Sequence, residues 1–196
     1  IKKIQFSKKT RLILCERNDP FRQKFNIFWR ILIRLSYNFA DVLTVNSPNA
    51  YNYFKRILDI ERIKYVVNHV KPKSNIEINK NTKTLVSVGR LNYQKGYDIL
   101  IRAFIEPQAP VHGWKLKIIG NISNKSYYTK LKNLSGEFLN SSIFFSDELK
   151  NIDNIYKTTS VFIISSRYEG TPNFLLEAAS FGIPAIISDS INLKDN

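Results

Sequence analysis

The sequence predicts an α/β fold in which a parallel sheet is covered by helices on both faces. Two observations support this prediction. Short apolar runs alternate with longer amphipathic runs along most of the 196 residues, which is the pattern of alternating strands and helices. The short runs are also apolar at consecutive positions, as expected of strands buried on both faces of a parallel sheet. A doubly wound sheet fits both observations.

The alternation is clearest in the second half of the chain. The predicted strands are residues 84–89, 114–120, 142–146, 160–165 and 184–188. The predicted helices are residues 97–105, 126–134, 151–159 and 172–181. Because each strand alternates with a helical segment, this half is predicted to be one doubly wound α/β domain.

The first half repeats the pattern less regularly. Its predicted strands are residues 11–16, 41–47 and 63–68. A long helix is predicted over residues 20–39, with a Phe- and Trp-rich face and interspersed arginines. A second helix is predicted to begin with Ser47 as its N-cap and Pro48 at its first position.

Residues 71–82 are rich in Asn and Lys and lack apolar periodicity, so they are predicted to be a linker. We therefore predict one domain over residues 1–70 and a second over residues 83–196. The chain has no methionine and begins at Ile1, and its last residues follow directly on an apolar run. We expect a fragment that is truncated at both ends, with the second domain incomplete at its C-terminus.

The composition favours an anionic partner. The formal net charge is +14, and residues 1–70 hold 14 Lys and Arg against 5 Asp and Glu. The sequence contains no uncharged apolar stretch long enough to span a membrane, and its first residues do not have the pattern of a signal peptide. No RNA- or DNA-binding motif is present, so nucleic acid is not the expected partner.

Cysteine and histidine are scarce. Cys15 lies in the apolar run "RLILCE", where it is expected to be buried; a lone cysteine fits a reducing compartment. His69 and His112 share no metal-binding spacing with each other or with Cys15, so no zinc is expected. His69 is interpreted as a structural residue near the linker.

The segment "GRLNYQKG", residues 89–96, follows the first strand of the second half. Ligands bind beyond the carboxyl ends of such strands, and Arg90 and Lys95 supply two cations there, just before a helix N-terminus. This arrangement can bind phosphate. The alternative, which spacing alone favours, is two solvated cations beside a turn. Neither a Walker loop nor a G-x-G-x-x-G motif occurs in the chain.

The segment "SRYEGTPNFLLE", residues 166–177, carries Glu169 in a predicted loop and Glu177 in the following helix. Pro172 fits the first helical turn, and the amides of residues 171–174 would point towards the strand ends. Glu177 lies in an apolar run, where an unpaired carboxylate is unfavourable. Alternatively, Glu177 simply reaches solvent or pairs with a lysine.

The spacing of these two carboxylates argues against a glycoside hydrolase. About eight residues of helix span about 12 Å, whereas retaining hydrolases hold their carboxylates about 5 Å apart and inverting ones about 6.5–9.5 Å apart. The pair is better suited to binding the two ends of one extended ligand.

Three segments resemble the retaining glycosyltransferases of family 4: "VGRLNYQKGYDILIRAF", "LKIIGN" and "SRYEGTPNFLLEAASFGIPAIISD". The specific part of the resemblance is the E-x7-E pattern combined with an R-x4-K pattern earlier in the chain. It is strongest over residues 84–189 and extends upstream through "CERNDP" and "FADVLTVNSPNAYNYF". It implies the GT-B fold, which has two Rossmann-like domains facing each other across a cleft. Residues 83–196 would be the donor domain and residues 1–70 the later part of the acceptor-side domain.

The resemblance also implies roles for individual residues. Arg90 and Lys95 would hold the diphosphate of a nucleotide-sugar as it leaves, and Glu169 would face the donor sugar near the reacting carbon. Glu177 would bind the ribose hydroxyls. Arg90, Lys95 and Glu169 are therefore the predicted catalytic residues. The predicted donor-binding set is Gly89, Arg90, Lys95, Glu169, Gly170, Thr171, Pro172, Asn173, Phe174 and Glu177.

The implied reaction is metal-independent transfer of a hexose or N-acetylhexosamine from a UDP- or GDP-linked donor, with retention at the anomeric carbon. The acceptor would be a glycan or a lipid-linked glycan in cell-surface polysaccharide synthesis. Two alternatives stay open: a nucleotide-sugar 2-epimerase of the same fold, and an inactive remnant that retains only the donor-binding half. The expected location is the cytoplasm.

The basic aromatic helix at residues 20–39 has two interpretations. Packing into the core of the acceptor-side domain is the favoured one. The alternative is docking on an anionic inner-membrane surface, where the interspersed arginines would meet acidic lipid headgroups.

Overall fold

The computed structural model describes residues 10–17, 20, 26–73, 82–147, 152–169 and 171–191. These residues fall into two compact units, divided between Asn68 and His69, and Glu169–Thr171 group with the first unit. Each unit is built on its own parallel sheet. The predicted boundaries of the linker at 71–82 stay a prediction, since residues 74–81 lie outside the described part of the chain.

The first unit contains a three-stranded sheet in the order β1-β2-β3. Its strands are β1 (Ile13–Glu16), β2 (Val42–Val45) and β3 (Ile63–Tyr65). Its helices are α1 (Ile27–Asn38) and α2 (Pro48–Phe54). Both strand pairs are parallel, which confirms the predicted α/β class for this half. A small core forms around Leu43, Val45, Ala50, Phe54 and Ile63.

Helix α2 begins as its sequence predicts. Pro48 occupies the first turn, and the Ser47 hydroxyl accepts a hydrogen bond from the Ala50 N–H at 3.2 Å. Ser47 therefore satisfies one of the amides that a helix start leaves without a partner.

Helix α1 is shorter than predicted, and its surroundings differ from the favoured interpretation. Asn26 caps it by accepting a hydrogen bond from the Trp29 N–H at 3.0 Å, whereas residues 21–25 lie outside the described part of the chain. No residue of α1 is buried, and its Ile27 and Phe28 side chains are 71% and 66% exposed. The expected core packing of the aromatic face is therefore wrong for the described residues.

Cys15 is exposed, so the expectation of a buried thiol is wrong. Among the described strands of its sheet, β1 is an outer one. Its side chains alternate between exposed and half-buried positions, with Ile13 and Cys15 on the exposed face. An apolar run alone does not distinguish such an outer strand from a central one.

The second unit contains a five-stranded, fully parallel sheet in the order β6-β5-β4-β7-β8. Its strands are β4 (Thr84–Val88), β5 (Lys115–Ile119), β6 (Ile143–Ser146), β7 (Val161–Ile164) and β8 (Ala185–Ile187). Its helices are α3 (Tyr97–Ile105), α4 (Lys125–Ser135), α5 (Ile152–Lys157) and α6 (Asn173–Ser180).

This strand order is doubly wound. The chain runs outwards from β4 to β5 and β6, then returns to place β7 on the other side of β4. Right-handed crossovers put α3 and α4 on one face of the sheet and α5 and α6 on the other. The core includes the fully buried side chains of Ile101, Leu116, Ile118, Leu131 and Ile143. The predicted doubly wound class is confirmed.

The predicted start of α6 needs a correction. The sequence places Pro172 in the first helical turn, but its backbone is extended, with φ −75° and ψ 105°. It occupies the N-cap position, and the helix begins at Asn173. A proline ring fixes φ without fixing ψ, so the sequence pattern is compatible with either position.

Candidate functional site

The second sheet has a topological switch point between β4 and β7. Connections leave these two neighbouring strands in opposite directions, which opens a crevice at their carboxyl ends, and ligands of doubly wound sheets bind there. The segments that follow these strands are residues 89–96 and 165–168. The first contains Arg90 and Lys95, two of the predicted catalytic residues.

Hydrogen bonds join these two segments closely. The Arg167 N–H donates to the Gln94 carbonyl at 2.7 Å, and the Gln94 side-chain amide donates to the Tyr168 carbonyl at 3.1 Å. The Ser165 hydroxyl donates to the Lys95 carbonyl at 2.9 Å. The backbone of Lys95 is therefore held in place by the segment that follows β7.

Gly96 makes this close approach possible. Its φ is +65°, a left-handed conformation that side chains with a Cβ rarely adopt. A Cβ at this position would lie 2.1 Å from the Ser165 carbonyl oxygen, far inside van der Waals contact. Only glycine fits between the two segments.

The structure brings Gly89 and Lys95, two residues of the predicted donor-binding set, into contact. A Cβ on Gly89 would lie 2.7 Å from Cε of Lys95, so the lysine side chain passes directly over this glycine. Lys95 is half-buried, whereas Arg90 is exposed. The turn that carries Lys95 is capped by Asn92, whose Oδ1 accepts a hydrogen bond from the Lys95 N–H at 3.3 Å.

An ion pair that the sequence analysis did not assign lies beside this turn. The Arg167 guanidinium donates two hydrogen bonds to Asp98, both at 2.9 Å. It also donates to the Tyr93 carbonyl at 2.7 Å and stacks 3.7 Å from the centre of the Tyr93 ring. The Tyr127 hydroxyl donates a further hydrogen bond to Oδ1 of Asp98, at 2.6 Å.

The electrostatics of this network favour its charged form. Burial alone would raise the pKa of the Asp98 carboxyl, but hydrogen bonds from Arg167 and Tyr127 outweigh burial and lower that pKa from 3.8 to about 2. The hydrogen bond with Asp98 raises the pKa of the Arg167 guanidinium. Burial, together with the hydrogen bond to Asp98, raises the pKa of the Tyr127 hydroxyl from 10.0 to about 12. The ion pair therefore stays charged across the neutral range of pH.

The positions of Arg167 and Asp98 in the sequence were the one indication that these residues could matter. Arg167 lies just beyond a predicted strand end, and Asp98 lies in the first turn of α3, where an acidic side chain is favourable. Their 69-residue separation gives no local pattern from which the contact could be predicted.

Glu177 lies on α6 and is half-buried. Burial, followed by repulsion from Asp153, raises the pKa of its carboxyl, while Lys73 and a hydrogen bond with Tyr156 counteract that rise in part. Lys73 forms its ion pair with Asp153. The alternative interpretation, in which Glu177 pairs with a lysine, therefore holds only in part. Lys73 lies near enough to lower the pKa of Glu177, but its ion pair is with Asp153.

The first turn of α6 is attached to α5 through Tyr156. This tyrosine is fully buried, and its hydroxyl donates to the Phe174 carbonyl at 3.3 Å. Pro172, the N-cap, makes no side-chain capping bond to the helix, and the first turn contains no acidic residue. The helix start is thus suited to receive an anion, since its amides carry partial positive charge.

The remaining predicted donor-binding residues surround the start of this helix in sequence. Glu169 and Thr171 are half-buried, Asn173 is exposed, and Gly170 lies outside the described residues. Within the first unit, the Thr171 hydroxyl donates to the Asn46 carbonyl at 2.5 Å. The roles assigned to these residues stay predictions.

The described part of the chain shows neither a cluster of metal-binding side chains nor a membrane-spanning helix. Its residues contain no group of three or more His, Cys, Asp or Glu side chains placed to hold a metal ion. None of the described helices is both long and apolar enough to cross a lipid bilayer.

A doubly wound sheet with two cations at its switch point is compatible with the class of α/β proteins that bind phosphate-bearing ligands. Comparison with known proteins narrows this class. Residues 71–195 match the family described as glycosyl transferases group 1. The chain belongs to this glycosyltransferase family, which confirms the resemblance seen in its motifs.

Two relatives illustrate the match. The amylovoran biosynthesis glycosyltransferase AmsD of Erwinia amylovora is 28% identical over 192 residues, covering 94% of this chain and 53% of its own length. The GalNAc-alpha-(1->4)-GalNAc-alpha-(1->3)-diNAcBac-PP-undecaprenol alpha-1,4-N-acetyl-D-galactosaminyltransferase of Campylobacter jejuni is 27% identical, covering 96% of this chain and 53% of its own length. The chain thus spans about half the length of the curated relatives it matches.

Solved structures confirm the fold. Anabaena HepE, crystallised in complex with UDP-glucose, superposes with a TM-score of 0.79 at 18% identity, covering 94% of this chain and 55% of HepE. At this identity the likeness concerns the fold alone, and it supports the GT-B assignment.

Proposed function

We propose that this chain contains the donor-binding part of a retaining glycosyltransferase. The enzyme moves a hexose or N-acetylhexosamine from a UDP- or GDP-linked donor to a glycan or a lipid-linked acceptor. The observation that carries this proposal is the placement of Arg90 and Lys95 on a rigidly held turn at the switch point of the second sheet. Two cations at that edge suit the diphosphate of a nucleotide-sugar.

In the proposed mechanism, the protein stabilises the leaving diphosphate. Arg90, Lys95 and the amides at the start of α6 neutralise the charge that develops as the bond to the sugar breaks, without a requirement for a metal ion. Glu169 binds the donor sugar beside the reacting carbon. The departing phosphate helps to deprotonate the acceptor hydroxyl, which attacks from the same face, so that the anomeric configuration is retained.

Glu177 is proposed to bind the ribose hydroxyls. Burial and the nearby Asp153 raise the pKa of its carboxyl, so ionisation of Glu177 is unfavourable in the absence of a ligand. Hydrogen bonds from two ribose hydroxyls would relieve this, because they favour the charged form of a carboxylate.

The relatives support the acceptor and donor classes. The name of the Campylobacter relative describes an undecaprenol-linked acceptor, that of AmsD describes amylovoran biosynthesis, and HepE was crystallised with UDP-glucose. We therefore propose a lipid-linked or glycan acceptor in cell-surface polysaccharide synthesis, and a cytoplasmic enzyme that works at the inner face of the membrane.

The exposed apolar surface of helix α1 supports contact with a membrane. Six of its large apolar side chains are 41% to 71% exposed, and the helix contains no acidic residue. With Arg30 and Arg34 interspersed, this surface suits an anionic bilayer. Sedimentation of the full-length protein with liposomes tests it: binding should increase with anionic lipid, and equal binding to neutral vesicles would contradict the electrostatic part.

The function is tested on the full-length protein. A thermal-shift panel of UDP-, GDP- and ADP-sugars identifies the donor, and product analysis then separates transfer from 2-epimerisation.

Glu169→Ala and Lys95→Ala should abolish transfer, whereas Glu177→Ala should mainly weaken donor binding. Glu106→Ala, an exposed residue beyond α3, is the matched control. Full turnover in all three site variants would refute the assignment.

A further inference from the structure

We infer that Arg167 is a positioning residue of the donor site, which acts through Asp98. The pair holds the segment after β7 against the turn that carries Lys95. The catalytic consequence rests on the proposed function, but the pairing of the two segments can be measured without any substrate.

Several hydrogen bonds converge on Arg167. Its main-chain N–H donates to Gln94, and its guanidinium donates to Tyr93 and Asp98. One residue therefore connects the segment after β7 both to the turn after β4 and to the first turn of α3. Loss of the guanidinium removes the side-chain connections while leaving the strands unchanged.

The ion pair is largely shielded from water. The Arg167 and Asp98 side chains are 22% and 12% exposed. Truncation of one partner leaves the other charge largely desolvated and unpaired, which is strongly unfavourable. The segment is then expected to move until the remaining charge reaches water, rather than to stay in place with weaker contacts.

The pair lies beyond the contacts that hold the sheet together. Strands β4 and β7 are joined by their own ladder, with Leu85 opposite Val161 and Val86 opposite Phe162. Arg167 comes after the end of this ladder. Its bonds therefore set the separation of two loops, whereas the sheet is held by other contacts.

The geometry of Lys95 links this pairing to catalysis. The Lys95 carbonyl accepts a hydrogen bond from Ser165, so displacement of the segment after β7 also moves the backbone that carries the proposed phosphate ligand. A shift of about 1 Å in a catalytic group can lower the rate about 100-fold.

Hydrogen exchange tests the pairing directly in the full-length protein without ligand. Arg167→Gln should accelerate amide exchange at least about tenfold in the peptide that covers residues 165–168, because the hydrogen bond from the main-chain N–H of residue 167 to the Gln94 carbonyl opens. Ile143→Ala, which removes a fully buried side chain from the edge strand β6, is the control for a general loss of stability. Equal acceleration in both variants, or none in Arg167→Gln, would overturn the inference.

Kinetics test the consequence. Arg167→Gln and Asp98→Asn should each lower kcat about 100-fold with the identified donor, and the double variant should recover part of that loss, because neither charge is left unpaired. Arg167→Lys keeps the charge but loses the bidentate bond, so its kcat should fall between those of the wild type and Arg167→Gln. If kcat follows only the melting temperature across these variants and Ile143→Ala, Arg167 is merely structural.

The proposed function and the positioning role can fail separately. A wild-type protein that binds no nucleotide-sugar of the panel contradicts the proposed function, while the exchange experiment still decides the pairing. A wild-type protein that transfers sugar, with kcat unchanged in Arg167→Gln, contradicts only the positioning role.

Discussion

Gly96 lies so close to Ser165 that no other residue fits between them. A Cβ on Gly96 would be 2.1 Å from the Ser165 carbonyl oxygen, which belongs to the backbone that follows β7. Since a backbone carbonyl cannot rotate away as a side chain can, this contact sets the distance between the two segments at the switch point.

Gly96→Ala should therefore destabilise the protein and separate the two segments. The left-handed backbone costs about 1–2 kcal/mol with a Cβ, and displacement of the Ser165 carbonyl adds to this. Gly182→Ala is the matched control, because Gly182 has φ +72° but no neighbouring atom lies within 4 Å of where its Cβ would be. Chemical denaturation should show a larger loss for Gly96→Ala, and equal losses would contradict the steric argument.

The pH dependence of stability should reflect the Asp98 pKa of about 2. Because this pKa is lower in the folded state than the ordinary value of 3.8, the ion pair stabilises the fold fully above that ordinary value and loses its contribution as the pH falls towards 2. Asp98→Asn should remove this part of the acid dependence.

Urea denaturation at a series of pH values from about 5 down to about 2 measures the effect, since this range covers the titration of the carboxyl in both the unfolded and the folded state. Glu106→Gln, an exposed carboxylate in the turn after α3, is the control. A steep loss of stability in acid that persists unchanged in Asp98→Asn would show that other carboxylates dominate it.

Glu177→Gln should stabilise the ligand-free protein at neutral pH. Burial and Asp153 raise the pKa of Glu177, so ionisation of this carboxyl is unfavourable in the folded state, and its contribution to stability decreases as the pH rises through the folded pKa. The neutral amide avoids that loss. Melting temperatures should differ at neutral pH and converge at acidic pH, where the carboxyl is protonated in both states.

The same substitution should weaken donor binding if Glu177 holds the ribose. A gain in stability with a loss of affinity is the signature of a residue retained for function. An exposed control, Glu137→Gln, should change neither property. A Glu177→Gln variant that is less stable than the wild type at neutral pH would contradict the electrostatic argument.

Ser47→Ala should cost about 1 kcal/mol of unfolding free energy, the usual effect of removing an N-cap side chain. The Ser47 hydroxyl accepts from the Ala50 N–H inside the first unit, where both residues are buried. Ser47→Thr keeps the hydroxyl and should retain most of the stability. Equal losses for both substitutions would indicate packing rather than capping.

Much of the fold can be predicted because helices and strands leave local patterns. The helix at 97–105 has the bounds that its sequence predicts, since its apolar residues recur at helical spacing and Gly96 precedes it. Ser47 and Pro48 mark the start of α2 by their own chemistry. Neither the order of the strands nor the face of a strand that is covered leaves such a pattern, so the sequence does not reveal that Cys15 is exposed.

The candidate site, like the fold, could be predicted from the sequence only in part. The sequence by itself determined which groups are available, because Arg90, Lys95, Glu169 and Glu177 stand in recognisable motifs near predicted strand ends. Only the tertiary structure decided their surroundings: the Arg167–Asp98 pair, the contact of Gly96 with Ser165, and the environment of Glu177 beside Tyr156. These contacts join residues far apart in the chain, and they form because parallel strands bring the ends of distant segments to one edge of a sheet.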